Sequence, residues 1–227
     1  MFHDIVEQVM SYLEKKLIFL RKPLEPALKV RSGWPTNTIS CFVPHVSKAI
    51  VAAYGDRVLK MPGTAEEWWN VARKFLEKWN FTNTIGAIDG KHVRIKNPPC
   101  SGSWSFNYKK YYLMVMLSVA NGDYSFLYME VGDVGSESDR GMFAQSELVD
   151  MLNNNKANLP PQEPLPVDPR QTPVPYFMLA DDDFTLKPYM MKLYPIRKLT
   201  HDERIYNCRV SKAQRVVENA SVIMANM

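Results

Sequence analysis

The stretch Thr84-Ile85-Gly86-Ala87-Ile88-Asp89 decides the reading of this chain: a short apolar run goes straight into an acid. The pattern returns at Phe177-Met178-Leu179-Ala180-Asp181. Such runs fit short buried strands. A carboxylate at the tip of a central strand is held rigidly beside a low-dielectric core. Two of them brought together repel unless a cation lies between them. Hard divalent ions such as Mg²⁺ take oxygen ligands.

The segments around these two acids give the order of the domain. His92–Lys96 is a second run, ended by Pro98 and Pro99. Tyr111–Ala120 is a rich β run, Asn121-Gly122 a hairpin signal, and Tyr124–Val131 the returning strand. Gly135–Ser138 reads as a loop, and Met142–Leu152 as a helix with Phe143, Leu148 and Met151 on one side. The prolines between 159 and 175 mark a loop, and a last helix is expected from about Ser211. It carries Glu218, preceded by Arg209, Lys212 and Arg215. Meander, helix, strand with acid, then helix with acid is the order in which an RNase H-like domain assembles a two-metal site. Two ions clamped by Asp89, Asp181 and Glu218 would activate water and stabilise the leaving oxygen of a phosphodiester. Taken singly, a strand-end Asp is more often a turn or helix cap.

Upstream, the spacing of Ile5, Val6, Val9, Met10, Leu13 and Leu17 predicts a helix over 4–20. After Pro23, Pro26 and Pro35, Thr36 and Asn37 can cap a second helix, in which Pro44 makes a kink or marks the first turn. Thr64 with Glu67 forms a capping-box pattern ahead of Trp68, Val71, Ala72 and Phe75, predicting a helix over 64–79. The expected organisation is a small helical lobe, residues 1–80, and an α/β domain, residues 81–227, with a mixed sheet flanked by helices.

Composition narrows the function classes. The chain has 227 residues, 46% hydrophobic and 23% charged, an ordinary globular balance that excludes wholesale disorder and fibres. Its longest apolar stretches are too short to span a bilayer. His3, Asp4 and Glu7 stand where a secretory leader would carry basic and apolar residues. Cys41, Cys100 and Cys208 form neither a disulfide framework nor a metal knuckle, which fits a reducing compartment, cytosol or nucleus. The net charge is only +4, but basic flanks surround a more acidic centre. A polyanion substrate meeting a carboxylate–metal centre would want that pattern. The same cations can equally serve to solvate surface helices.

Several segments, in order, carry a resemblance. Ile85-Gly86-Ala87-Ile88-Asp89-Gly90-Lys91-His92 resembles the first catalytic block of PIF/Harbinger-type transposases and their domesticated nuclease relatives. Asn107-Tyr108-Lys109-Lys110-Tyr111-Tyr112 is similar to the motif leading into the second strand, and Gly135-Ser136-Glu137-Ser138-Asp139 to a glycine–serine–aspartate block. Asp181-Asp182-Asp183-Phe184 with Tyr194-Pro195 resembles the second-aspartate block, and Arg215-Val216-Val217-Glu218-Asn219-Ala220 the closing glutamate helix. The likeness runs from roughly residue 36 to 220.

The resemblance implies a DDE-type, metal-dependent DNA endonuclease using Mg²⁺ or Mn²⁺, with Asp89, Asp181 and Glu218 as the catalytic acids. Asp139 falls on a position that the family often holds acidic. It is either a fourth metal ligand or the cap of the helix beginning near Gly141. His92 reads as a supporting or packing residue rather than a ligand. Lys91, Lys109, Lys110, Arg209 and Arg215 would contact DNA phosphates, and Lys212 would join Lys91, Arg209 and Arg215 around the acidic centre. The family further implies a Myb-like partner protein and a nuclear location.

This chain departs from the pattern at several points. Ala180 replaces a usual Gly, Asp182 and Asp183 add charge beside Asp181, and Ser221 stands where an aromatic is usual. The last helix reads as cut short, and the upstream helix–turn–helix as abbreviated. The alternative function is therefore an inactive, domesticated remnant acting as a DNA- or protein-binding module.

Overall fold

The computed structural model describes residues 36–95, 112–132, 138–166 and 168–225. The chain divides into two compact units, residues 1–60 and 61–227. In the first, one helix is described, α1 (Thr36–Val58), which starts at Thr36 and keeps Pro44 inside it. The helix expected over 4–20 and the upstream half of the helix–turn–helix lie outside the described residues.

The second unit opens with α2 (Ala65–Trp79). Thr64 caps it: its hydroxyl accepts from Glu67 N–H at 3.2 Å, and the Glu67 carboxylate accepts from Gly63 N–H at 2.7 Å. Asn80, in the left-handed region at φ 52°, ends it. Trp68, Val71, Ala72 and Phe75 form its buried stripe and join the core of the sheet unit. The sequence reading grouped this helix with the N-terminal lobe. The structure packs it on the sheet, and the division between units falls after Lys60.

The sheet consists of β1 (Thr84–Ile95), β2 (Tyr112–Ala120), β3 (Phe126–Gly132), β6 (Phe177–Leu179) and β7 (Met190–Met191), in the order β3-β2-β1-β6-β7. The pairs β1–β2 and β2–β3 are antiparallel, whereas β1–β6 and β6–β7 are parallel, so the sheet is mixed. A separate two-residue ribbon, β4 (Glu163–Pro164) with β5 (Pro173–Val174), lies within the proline-rich stretch.

Four local expectations change. Residues 84–88 and 92–96, read as two runs, form one strand to Ile95, because β2 pairs with every residue from Ala87 to Ile95 and carries the ladder past Asp89. Asn121-Gly122 opens a longer turn than a two-residue hairpin. The Asn121 side-chain oxygen accepts from Asp123 N–H at 2.9 Å and Ser125 N–H at 3.1 Å. The helix expected over 142–152 becomes α3 (Asp139–Gln145) and α4 (Glu147–Asn153), broken at Ser146, whose hydroxyl donates to Phe143 C=O and accepts from Val149 N–H. The last helix, α5 (His201–Ala225), starts ten residues before Ser211. Thr200 and Glu203 cap each other there: Thr200 N–H donates to the Glu203 carboxylate at 2.7 Å and Glu203 N–H to Thr200 Oγ1 at 3.3 Å.

Helices cover both faces of the sheet. The helices α2 and α5 touch each other and pack on β1. On the other side, Asp139 of α3 lies directly over Gly90, where a Cβ would come within 2.7 Å of the Asp139 Cβ and closer still to its carboxyl carbon. The tip of the β2–β3 turn is pinned to α2, with Trp79 Nε1–H donating to Gly122 C=O at 3.1 Å and Lys74 and Lys78 ion-paired with Asp123. The buried cluster runs from Trp68 and Phe75 through Ile85, Ile88, Leu117, Met178 and Leu179 to Val210, Val216 and Val217.

Gly90 is therefore the tightest point between sheet and α3. Gly90→Ala should destabilise the protein by roughly 1–3 kcal/mol, an overpacking cost, read as a lower denaturant midpoint at unchanged slope. Adding Asp139→Ala, which removes the clashing carboxyl, should restore most of that loss. A Gly90→Ala protein of unchanged stability would refute this packing.

Candidate functional site: a group of four carboxylates at one end of the sheet

The four acids come from four separate elements. Asp89 lies within β1, Asp139 is the first residue of α3, Asp181 follows β6 by two residues, and Glu218 stands on α5. The parallel register of β1 and β6 aligns the first pair. Ala87 is the partner of Leu179, and Asp89 and Asp181 each lie two residues further on. Continued by two residues, that register brings Asp89 and Asp181 to neighbouring positions just past the end of the β1–β6 pair. Side chains alternate along a strand. Asp89 thus faces the α2–α5 side, while Gly90 faces Asp139.

Electrostatics records the meeting of the group. Burial pushes the Asp89 carboxyl up to about 6, and the charges of Asp181, Asp139 and Glu218 push it the same way. Burial also raises Asp139, with His92 pulling it back and Asp181 and Asp183 adding to the rise. Asp181 is raised by burial and by Asp183 and Asp182. It is held down by the Asp183 N–H, which donates to its Oδ1 at 3.0 Å in an Asx turn, and by the charge of Lys192.

Lys192, which the sequence reading left among the general basic residues, sits at the centre of this loop. Its Nζ donates to the carbonyls of Asp182 at 3.0 Å and Phe184 at 3.2 Å, and its own carbonyl accepts from Tyr206 O–H at 3.2 Å. Next to it, Asn207 of α5 accepts from Tyr194 N–H at 2.8 Å and donates to Tyr194 C=O at 3.0 Å. The turn that carries Asp181 is thereby tied to the helix that carries Glu218. No sequence spacing marks Lys192 as special, because its partners are main-chain carbonyls.

Glu218 is exposed at the edge of the buried stripe of α5, which consists of Val210, Ala213, Gln214, Val216, Val217, Ala220 and Ser221. The expected ring of cations is only partly assembled. Lys91 follows Asp89 by two residues, on the same face of β1. Arg215, one turn before Glu218, is its neighbour on α5. Lys212 lies further around the helix. Arg209, about two and a half turns away, falls on the opposite side. Lys109 and Lys110 lie outside the described residues. Ala180, where a Gly was usual, is fully buried with its N–H bonded to Met191 C=O at 2.9 Å, so the methyl is accommodated.

The donor set is all oxygen, which suits a hard divalent cation. Among the described residues, the Asp139 Oδ1 atom is buried without a hydrogen-bond partner, an acceptor that a cation or its water would satisfy. Among the described residues, no three His, Cys, Asp or Glu side chains stand close enough to hold a metal ion. The acids share a field without closing into a cage, as like charges do in the absence of a neutralising partner. Two clefts of about 410 Å³ lie elsewhere, beside Tyr176 and Tyr189 and beside Phe177 and Met191, and contain none of the four acids. Among the described residues, no helix is long and apolar enough to cross a membrane.

The raised Asp89 value has a consequence for stability. Folded Asp89 holds its proton more tightly than the unfolded chain does, so its contribution is most favourable below the ordinary value of 3.8 and is lost as pH rises to about 6. Asp89→Asn should stabilise the metal-free protein at pH 7 by roughly 1–2 kcal/mol after allowance for solvent screening. The gain over wild type should shrink to nothing near pH 4 in paired thermal melts. A constant difference across that range would show that Asp89 is not held in this field.

Neither the curated proteins nor the solved structures contain a match to this sequence. The model of one family, described as DDE superfamily endonuclease, matches residues 88–225, more than half of the chain and a span that includes all four acids. With its mixed sheet flanked by helices, the chain belongs to the DDE superfamily endonuclease family.

Proposed function

We propose that this chain is a metal-dependent DNA endonuclease of transposase type, on an RNase H-like fold and of the PIF/Harbinger branch, with Asp89, Asp181 and Glu218 as its catalytic acids. The observation that carries the reading is the half-buried Asp89 carboxyl, raised first by its burial and further by three other acids that arrive from three other elements. Such a gathering of partly buried like charge at one site is unfavourable by itself and suits a cation.

Family members generally use divalent metals, and the oxygen-only donor set suits Mg²⁺ or Mn²⁺ once the acids draw together: Asp89 and Asp181 would hold the ions, Glu218 would complete the site, and Asp139 would supply a fourth carboxylate. Such ions activate water for in-line attack on a phosphodiester and neutralise charge on the leaving oxygen. The chain's own part is to present the acids. The parallel β1–β6 register fixes Asp89 beside Asp181, and the Asx turn with Lys192 sets the angle of Asp181. Glu218 arrives from an exposed helix face, where it can meet both metal and substrate. Lys91, Lys212 and Arg215 would bind phosphates, as would Lys109 and Lys110, with Arg209 contributing from the opposite side of α5. DNA is the substrate, the nucleus the natural compartment, and a Myb-like protein the partner that the family resemblance suggests.

Supercoiled plasmid incubated with the full chain should be nicked in the presence of Mn²⁺ and more weakly with Mg²⁺, since Mn²⁺ binds such oxygen sites more tightly. Glu218→Gln and Asp89→Asn should each reduce nicking at least a hundredfold. Glu218→Gln should melt like wild type without metal. DNA affinity should fall steeply with salt, as counterion release demands. No nicking with either ion, together with DNA binding that Glu218→Gln leaves unaltered, would replace this reading with that of a binding module.

A further inference from the structure

Among the described residues, three buried side-chain polar atoms have no hydrogen-bond partner: Ser118 Oγ, Asp139 Oδ1 and Ser221 Oγ. All three border the acid group. Asp139 is one of the four acids, Ser118 is the cross-strand partner of Asp89, and Ser221 lies one turn beyond Glu218 on α5. Buried polar groups in folded proteins are almost always paired, because an orphaned hydroxyl forfeits its bonds to water. Three orphans around one site are polar atoms that a bound cation, its water or a re-oriented neighbour would satisfy.

Ser118 is the most constrained of them. It is the one polar residue in Leu113-Met114-Val115-Met116-Leu117-Ser118-Val119-Ala120, and it is 0% exposed. Opposed residues of an antiparallel pair point to the same face with Cβ atoms roughly 4.5–5.5 Å apart. Its side chain therefore lies beside that of Asp89. The other neighbours on this face are Met116 and Ala120 along β2 and Met129 across β3, which offer no side-chain oxygen or nitrogen. Within the sheet, the acceptor that such a hydroxyl can serve is Asp89, directly opposite; Lys91, diagonal to it on the same face, carries only donors.

We infer that Ser118 is a positioning residue for Asp89: its hydroxyl turns to donate to the Asp89 carboxylate when that acid takes up a divalent cation. The inference rests on the metal-binding reading above and adds a residue to it. A carboxylate that ligates with one oxygen leaves the other free to accept a bond, and that bond fixes the orientation of the first. Without metal, the hydroxyl has no partner among the described residues.

This arrangement predicts opposite effects of one substitution in two states. Ser118→Ala removes an unpaired buried hydroxyl with almost no change in volume, so the metal-free full chain should melt at the wild-type temperature or above it. In thermal-shift titrations with MnCl₂ alone, the midpoint for stabilisation should move about tenfold to higher concentration, the effect of losing a bond behind a metal ligand. Ser118→Thr, which keeps the hydroxyl, should recover most of the affinity. A Ser118→Ala midpoint equal to that of a metal-responsive wild type overturns the inference and leaves the metal reading intact. So does a clear drop in metal-free melting temperature, which would show that the hydroxyl is already bonded in the core. A wild type that does not respond to Mn²⁺, matching Asp89→Asn, fells the metal reading and this inference with it.

Discussion

The parallel pairing of β1 with β6 is the constraint from which the rest of the site follows. Ala87 opposite Leu179 brings Asp89 and Asp181 close together although 92 positions separate them in sequence. A slip of one residue along either strand would turn one acid to the opposite face. The register is held by packing more than by bond number, since β6 is only three residues long. Its Phe177, Met178 and Leu179 are all buried, and Met178 and Leu179 are bonded on the far side to β7.

Against that pairing stands the repulsion it creates. Four features moderate it without removing it. The Asp183 N–H and the charge of Lys192 act on Asp181, His92 acts on Asp139, and Glu218 remains exposed, where water screens its field. Asp89 has the least relief: among the described residues, the influence that favours its charged form is the Gly90 main chain. The apolar core beneath, from Ile85 and Ile88 to Val216 and Val217, supplies the stability against which this strain is set.

Much of this was legible in the sequence, for identifiable reasons. The apolar runs into Asp89 and Asp181 gave both strands, because continuous burial leaves a continuous apolar signature. The Thr64–Glu67 box located the start of α2. The equivalent Thr200–Glu203 box was equally visible, yet the start of α5 was placed near Ser211, where the apolar spacing becomes regular. The first turns of α5 are largely exposed, so periodicity is weak where capping is strong. The assignment of α2 to the N-terminal lobe failed because a helix's partner is a tertiary fact: Trp68 and Phe75 predict a buried face and not what covers it. β7 is two residues long and carries no pattern of its own. Lys192 and Ser118 were invisible for a related reason, since their meaning comes from carbonyls and a carboxylate that only folding brings near.

The strap between Lys192–Tyr194 and Tyr206–Asn207 is one of two holds on α5. The other is its buried stripe, in which Val210, Ala213, Val216 and Val217 are fully buried. Glu218 follows that stripe directly, eleven residues past Asn207 and roughly 16 Å from it at 1.5 Å per residue. Over that length a tilt of about 5° would displace the carboxylate by about 1.4 Å, several times the roughly 0.2 Å tolerance of a metal–ligand distance. The seating of four small and branched side chains in the core therefore sets the precision of an acid that itself faces solvent.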